Sequence, residues 1–169
     1  MGPEGRRSEG EAAVLRPSQP ADSRALLAIA EGTGVFKPIE IQTLAEVLFD
    51  YHARERANRH RCVTAWRDGA PYGFAYWAPE EMTDRTWYLY WIAVRRDLQS
   101  LGSGAQLLAY CEAEVRAAGG RLLLVETSSL PSYEPTRRFY AKHGYEPPTV
   151  IRDYYADGDD LLLFRKRLG

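Results

Sequence analysis

A glycine-containing segment between a predicted strand and a predicted helix constrains the fold of this chain more than any other feature. Residues 87–94 are apolar and β-prone, the string Gln99-Ser100-Leu101-Gly102-Ser103-Gly104 follows, and residues 103–118 show helical periodicity. Glycine has no Cβ atom, so the N–H groups of such a loop can approach a bound group closely. The helix that follows presents unpaired N–H groups and the positive end of its dipole. This strand–loop–helix order therefore predicts an anion site, most often one for phosphate or pyrophosphate.

Two other glycine-rich loops that bind phosphate fit this segment less well. A P-loop requires a lysine after its last glycine, and no lysine follows Gly104. The dinucleotide pattern Gly-x-Gly-x-x-Gly fits in part, because Gly102 and Gly104 match its first two positions and Glu126 ends the next apolar run. However, Leu107 takes the place of the third glycine, and residues 95–101 separate the glycines from the strand. A dinucleotide-binding enzyme of the Rossmann type stays an alternative.

A second segment, Phe139-Tyr140-Ala141-Lys142-His143-Gly144-Tyr145, predicts the end of a short helix. Pro135 suits the first turn of this helix, and Gly144 suits its C-terminal cap. This segment and the loop at residues 99–104 together resemble the GNAT superfamily of acyl-CoA-dependent N-acetyltransferases. The loop matches the family pattern Gln/Arg-x-x-Gly-x-Gly/Ala, whose N–H groups hold the pyrophosphate of coenzyme A. The late segment matches the family pattern Phe-Tyr-x-x-x-Gly-Phe/Tyr.

The predicted elements follow the order β-α-α-β-β-β-α-β-α-β-β, which is the order of the GNAT fold. That fold is α/β, with a mixed, mostly antiparallel sheet flanked by helices. Asp68-Gly69 predicts a hairpin turn, Asp22 is expected to cap the first helix, and Asp157-Gly158-Asp159-Asp160 predicts the last turn. Strands are predicted at residues 13–16, 62–67, 72–77, 87–94, 122–127, 146–154 and 161–167, and helices at residues 22–30, 38–57, 103–118 and 135–143.

Composition narrows the class of protein. Residues 1–12 have almost nothing apolar and predict a disordered tail, whereas residues 13–169 are expected to form a single domain. The net charge of −1 does not favour nucleic acid or a membrane as a partner, and without an apolar run of about 20 residues or a signal-like N-terminus we expect a cytoplasmic protein. Cys62 and Cys111 show no metal-ligand spacing, so we expect reduced thiols and no metal.

The resemblance implies direct transfer of an acetyl group from acetyl-CoA to a primary amine of a small molecule or a protein. Tyr140 matches the family tyrosine that protonates the leaving thiolate, and a phenol with a pKa of about 10 holds its proton at neutral pH. Many family members carry a glutamate where this chain has Tyr88, so the candidate base is Glu126, or a water that it holds. The alternatives are a core-packing role for Tyr140 and a structural role for the Glu126 carboxylate.

The resemblance also assigns the contacts to acyl-CoA. A backbone N–H near the end of the strand before the loop polarises the thioester carbonyl, and Tyr133 stands in the region of a family asparagine that touches the pantetheine arm. The predicted cofactor-binding residues are Ile92, Ala93, Val94, Gln99, Ser100, Leu101, Gly102, Ser103, Gly104, Tyr133 and Arg137.

The acceptor and the assembly are less defined. Most aromatic residues on the predicted strands are expected to pack in the core, and one or two are expected to line an acceptor pocket. Tyr154 and Tyr155 stand beside an acidic turn whose carboxylates would suit a cationic amine. Tyr88 at the usual glutamate position favours a second function, an acyl-CoA-binding regulatory module without catalysis. A homodimer is compatible with the resemblance.

Overall fold

The computed structural model describes residues 12–54 and 59–169. Residues 1–11 of the predicted N-terminal tail, and the predicted end of the second helix at residues 55–57, lie outside the described residues. Within the described ranges the chain forms seven strands and four α-helices. The strands are β1 (Val14–Pro17), β2 (Arg61–Arg67), β3 (Ala70–Pro79), β4 (Thr86–Val94), β5 (Leu122–Ser128), β6 (Thr149–Ala156) and β7 (Asp159–Arg167), and the helices are α1 (Ser23–Gly32), α2 (Pro38–Arg54), α3 (Ser103–Ala117) and α4 (Glu134–Lys142).

The strands form one mixed sheet in the order β1-β2-β3-β4-β5-β7-β6. The pair β4 and β5 is parallel, and every other pair of neighbours is antiparallel. The α3 helix connects the two parallel strands, as a crossover between parallel neighbours requires. The predicted fold class and element order are therefore confirmed.

The hairpin between β2 and β3 has the turn that its sequence predicts. Asp68 and Gly69 both have positive φ angles, of 51° and 73°, which is the requirement of a type I′ turn. Such a turn matches the right-handed twist of the flanking strands, so the dipeptide fixes the register of this pair.

The sheet carries a helical layer on each face. Helices α3 and α4 cover one face, over a core that includes Trp77, Trp87, Leu107, Leu108, Leu123 and Phe164. Helices α1 and α2 cover the other face, over a core that includes Leu26, Leu44, Leu48, Phe74, Tyr76 and Ala93. Burial of each large apolar side chain stabilises the fold by roughly 1.5–3 kcal/mol. The two layers therefore hold the sheet between them.

The parallel pair β4 and β5 separates soon after it begins. Residues 86–88 of β4 pair with residues 122–124 of β5, and the ladder ends there although β4 continues to Val94 and β5 to Ser128. A register shift opposite Tyr76 and Trp77 leaves Tyr90 as an extra residue in β4, and such a bulge bends a strand and increases its twist. The result is a V-shaped gap in the middle of the sheet.

Three local predictions are wrong. The Asp22 side chain does not cap α1; it accepts hydrogen bonds from the Gln19 N–H at 2.9 Å and from the Arg16 guanidinium at 2.8 Å and 3.0 Å. The last turn is shorter than expected, because Asp159 and Asp160 already belong to β7. The strand before it begins at Thr149 rather than at residue 146, since two prolines at 147 and 148 cannot donate to a sheet ladder.

We predict that Gly120→Ala destabilises the fold. A Cβ atom at Gly120 would lie 2.4 Å from Val115 Cγ1 and 2.8 Å from the Trp87 indole, so we expect the free energy of unfolding to fall by about 1–3 kcal/mol. Urea denaturation followed by tryptophan fluorescence measures the change. The control is Gly32→Ala at the end of α1, where nothing lies within 4 Å and stability should stay level or rise. Equal urea midpoints for Gly120→Ala and the wild type would contradict the prediction.

Candidate active site

The gap between β4 and β5 opens into a cleft of about 640 Å³. Its walls come from the separated ends of the two strands, from the loop before α3, from α4 and from the loop between α1 and α2. The lining from β4, β5 and α4 includes Ile92, Ala93, Val94, Glu126, Phe139 and Tyr140. This cleft thus coincides with the break in the sheet.

The β4 wall presents backbone groups to the cleft. The Arg95 N–H donates to Tyr72 O of β3 at 2.8 Å, and backbone groups alternate in direction along a strand. The groups of Val94 and Ile92 therefore point the other way, into the gap. In agreement with this, Val94 O accepts a hydrogen bond of 3.0 Å from Gln99 Nε2. The N–H groups of Ile92 and Val94 thus face the cleft, whereas the same alternation turns the N–H of Ala93, the third predicted residue, toward β3.

The loop between β4 and α3 has the form expected of an anion site. A 3-10 helix runs over Arg96–Leu101, Gly102 follows with φ 77°, and α3 begins at Ser103. The first turn of a helix has N–H groups without intrahelical acceptors. In α3 these belong to Ser103, Gly104 and Ala105, because the first bond of the helix runs from the Gln106 N–H to Gly102 O, and Gly104 and Ala105 line the cleft. A Cβ atom at Gly104 would lie 3.4 Å from the Phe139 ring of α4, an ordinary contact. A methyl group therefore fits here, whereas a large side chain would fill the cleft where α3 and α4 approach each other.

Tyr140 lies at the inner end of the cleft. Its side chain is 2% exposed, and its ring packs against Tyr145 and Phe164 with centroids 5.2 Å and 5.7 Å away. Among the described residues, none is a hydrogen-bond partner of its hydroxyl. Burial raises the pKa of the Tyr140 phenol above its ordinary value of 10. The Tyr140 ring therefore packs in the core, and its phenol also keeps a proton at the cleft.

Glu126 faces the cleft from the part of β5 that pairs with β7 but no longer with β4. Its side chain is open to solvent at the rim, yet the surrounding protein removes enough water to raise the pKa of the carboxyl above 4.5. Within residues 12–54 and 59–169 it forms neither an ion pair nor a hydrogen bond. The carboxylate is thus not held by a structural partner in the described part of the chain.

Tyr88 of β4 pairs with Leu124 of β5, two residues before Glu126. It stacks on Tyr90, with ring centroids 5.6 Å apart and an interplanar angle of 21°. The pKa of the Tyr88 phenol is raised, mainly by burial and secondly by the negative charges of Glu126 and Glu80. A phenol that holds its proton this firmly does not serve as a base, and so Glu126 is the better candidate.

The predicted cofactor residues do not all line the cleft. Gln99, Ser100, Gly102, Gly104 and Tyr133 do so, together with the three β4 residues. The side chain of Leu101 is 60% exposed, and Ser103 is buried with an unpartnered Oγ. The Arg137 guanidinium donates to the carbonyl oxygens of Ser128 at 2.8 Å and Leu130 at 3.0 Å. In this structure Arg137 thus braces the segment between β5 and α4.

Several residues of the cleft have no counterpart among the sequence predictions. They include Thr33, Val35 and Phe36 of the loop between α1 and α2, Arg96, and Lys142 and His143 at the end of α4. The sequence offered a signal for Arg96, because a basic residue within a predicted phosphate-binding loop is a candidate phosphate contact. The Tyr133 hydroxyl donates to Glu40 Oε2 at 3.1 Å, a contact that joins positions 93 residues apart. No local pattern in the sequence encodes such a contact.

The cysteines lie outside the cleft lining. Cys62 and Cys111 are buried and free, and burial raises the pKa of Cys62 to about 12 and that of Cys111 well above 9.0. Neither thiol is a ready nucleophile. In the described part of the chain, no group of three or more His, Cys, Asp or Glu side chains is arranged to hold a metal ion. None of the helices described is both long and apolar enough to span a membrane.

Comparison with known proteins identifies this architecture. The sequence profile of the acetyltransferase (GNAT) family matches residues 27–145. A crystal structure from Desulfovibrio desulfuricans, assigned to the GNAT family, is 35% identical, with a TM-score of 0.89 over 94% of this chain and 100% of that one. No curated protein sequence matches significantly.

Two more distant structures share the fold. The paiA N-acetyltransferase of Thermoplasma acidophilum, solved with coenzyme A, is 17% identical, with a TM-score of 0.72 over 92% of this chain and 99% of that one. Salmonella typhimurium yncA, solved with acetyl-CoA, is 18% identical, with a TM-score of 0.73 over 94% and 95%. The family profile and the relative from Desulfovibrio carry the assignment: this chain belongs to the GNAT family of acetyltransferases.

Proposed function

We propose that this protein transfers an acetyl group from acetyl-CoA directly to a primary amine. The observation that carries the proposal is the cleft itself, which joins an anion-binding helix start to a buried phenol and an unpaired carboxylate. Coenzyme A or acetyl-CoA occupies the paiA and yncA structures, which have the same fold. The anion site, the acid and the base are the three parts that such a transfer requires.

The loop before α3 is the proposed binding site for the pyrophosphate of acetyl-CoA. The N–H groups of the first turn of α3 and the positive end of its dipole favour a negative ligand. Arg96 and Gln99 line the same end of the cleft and add a charge and an amide. The pantetheine arm would then follow the β4 wall, where the N–H groups of Ile92 and Val94 can polarise the thioester carbonyl.

The proposed reaction is a single displacement that moves two protons. The amine nitrogen attacks the thioester carbonyl carbon, a C–N bond forms and the C–S bond breaks. Glu126, directly or through a water, accepts the proton that the nitrogen loses. Tyr140 donates its proton to the leaving thiolate, so neither cysteine takes part and no acyl-enzyme forms. The acid and the base thus end the turnover with opposite protonation, and solvent restores both.

We predict that Gly104→Trp abolishes the binding of acetyl-CoA. The indole would fill the space between the loop and the Phe139 ring and cover the N–H groups of α3. Isothermal titration should give micromolar binding for the wild type and none for the variant. The control is Gly104→Ala, whose Cβ makes an ordinary contact of 3.4 Å with Phe139. Wild-type affinity in the Trp variant would place the ligand elsewhere, and binding of NADH instead would favour a dinucleotide enzyme.

We predict that Tyr140→Phe lowers kcat by about a hundredfold or more, because the leaving thiolate loses its proton donor. The Kd of acetyl-CoA should change little, since the ring and its packing remain. Tyr110→Phe is the matched control, because Tyr110 lies on α3 against Trp77 and outside the cleft lining. Unchanged turnover in Tyr140→Phe would remove this phenol from the mechanism. Acetyl-CoA binding without turnover of any amine by the wild type would favour a regulatory module.

We predict that Glu126→Gln removes the acidic limb of the pH profile of kcat/KM. Glu126 must be ionised to accept a proton, and desolvation raises its pKa above 4.5. Activity of the wild type should therefore fall as the pH drops through a midpoint above 4.5. The Gln variant should lose about a hundredfold in kcat/KM at neutral pH, whereas Glu114→Gln on the exposed side of α3 should keep the profile. Full activity of Glu126→Gln at every pH would contradict the direct-base role.

A further inference from the structure

Four tyrosine rings lie near Glu126: its negative charge acts on the phenols of Tyr88, Tyr90 and Tyr155, Tyr154 contacts Tyr155, and Tyr90 lines the cleft. We call Tyr88, Tyr90, Tyr154 and Tyr155 the tyrosine wall. Tyr88 and Tyr90 stack on each other, and Tyr154 meets Tyr155 edge to face with ring centroids 4.9 Å apart. Side chains of Tyr90 and Tyr154 are 47% and 55% exposed, so this wall has open aromatic surface that the core does not use.

Two irregularities of the sheet bring these rings forward. The bulge in β4 adds Tyr90 to the strand. In β6, residues 152–155 stand opposite the single residue Asp160, because Ile151 pairs with Leu161 and Ala156 pairs with Asp159. Asp153 holds this second bulge with φ 52°, and its N–H donates to Asp160 Oδ1 at 2.8 Å. The tyrosine wall therefore coincides with two interruptions of regular strand pairing, one in β4 and one in β6.

Glu80 lies on the same side of the sheet as Tyr88. Ala78 of β3 is directly opposite Tyr88, and side chains two residues apart in an extended chain share a face. The negative charges of Glu80 and Glu126 both act on the phenols of Tyr88 and Tyr90 and, after burial, raise the pKa of each. The stacked pair therefore lies within electrostatic reach of both carboxylates.

The two carboxylates have no cationic partner among residues 12–54 and 59–169. The cation that reaches the tyrosine wall is Lys37, whose Nζ is 5.1 Å from the centroid of the Tyr155 ring. This ammonium is already paired with Asp159 Oδ2 at 2.7 Å. Glu40 adds a further carboxylate, which accepts a hydrogen bond from the Tyr133 hydroxyl. Around the tyrosine wall, these described groups thus carry more negative than positive charge, beside the exposed rings of Tyr90 and Tyr154.

We propose that the acceptor is a diamine or polyamine, whose second ammonium group binds to Glu80 against the open faces of Tyr88 and Tyr90 while its reactive amine lies at Glu126. This inference rests on the proposed function. Ammonium groups are attracted both to the faces of aromatic rings and to carboxylates. A ligand with a carboxylate at its second end would meet Glu80 and be repelled. Glu80 is therefore a specificity-determining residue and not a member of the reacting set.

Three acceptors of equal chain length test this inference in the wild-type enzyme. They are 1,4-diaminobutane, 1-aminobutane and 4-aminobutanoate, which share the reactive amine and carry a positive, a neutral and a negative second end. We expect kcat/KM for the diamine to exceed that for the monoamine by about tenfold or more. This is beyond the about twofold advantage of having two reactive ends. The amino acid should be the poorest acceptor.

The variant Glu80→Gln identifies the residue that reads the second charge. It should reduce the preference for 1,4-diaminobutane over 1-aminobutane to about the statistical twofold, mainly through a higher KM for the diamine. The matched control is Glu81→Gln, an exposed neighbour whose charge acts on His60 rather than on the tyrosine wall; it should keep the preference. The Kd of acetyl-CoA should stay constant in both variants, which reports that the fold and the loop are intact.

The outcomes separate this inference from the proposed function. Equal kcat/KM for the diamine and the monoamine in the wild type would overturn the inference and leave amine acetylation standing. A preference that survives Glu80→Gln would overturn the assignment to Glu80. Turnover of none of the three amines, with acetyl-CoA still bound, would overturn the diamine class. Absence of acetyl-CoA binding would overturn the proposed function itself.

Discussion

The two central strands diverge after residue 88 of β4 and residue 124 of β5. Beyond this point their facing N–H and C=O groups form no hydrogen bonds with each other. Buried backbone groups of this kind must find partners in water or in a ligand. The strands keep their shape because each is paired on its outer side, β4 with β3 and β5 with β7. Outer pairing therefore keeps the gap open, and the proposed anion site, the Tyr140 phenol and the Glu126 carboxylate all depend on it.

The gap also explains how the two proton-transfer candidates come to the same place. Tyr140 belongs to the core on the α3 and α4 face, as does Val125 of β5. Glu126 follows Val125 and therefore points to the opposite face. In a continuous sheet these two side chains would be separated by a layer of backbone. Where β4 and β5 separate, a molecule that passes through the sheet can contact both.

Local sequence carried most of the fold and part of the site. Asp68-Gly69 encodes its turn, and Gly102 and Gly104 encode the loop, because in these cases the backbone conformation or a close approach depends on the residue itself. The Asp22 cap was wrong because a distant strand and Arg16 offered that carboxylate better partners. Phe36 at the cleft, and Glu80 and Glu40 near the tyrosine wall, had no signal in the sequence, since these positions arise from the packing of separate elements. Contacts between distant elements depend on tertiary packing, and no short stretch of the sequence encodes them.

The bulge in β6 has a consequence for the outer boundary of the sheet. As the last strand in the order, β6 exposes a row of backbone groups, and it carries the exposed apolar side chains of Val150 and Ile151. A long flat edge of this composition would invite another chain to add as a further strand. The left-handed turn at Asp153 interrupts the edge after a few residues, because a bulged strand twists away from a regular partner. The same irregularity that shapes the tyrosine wall thus leaves β6 without a long regular edge on which another chain could pair.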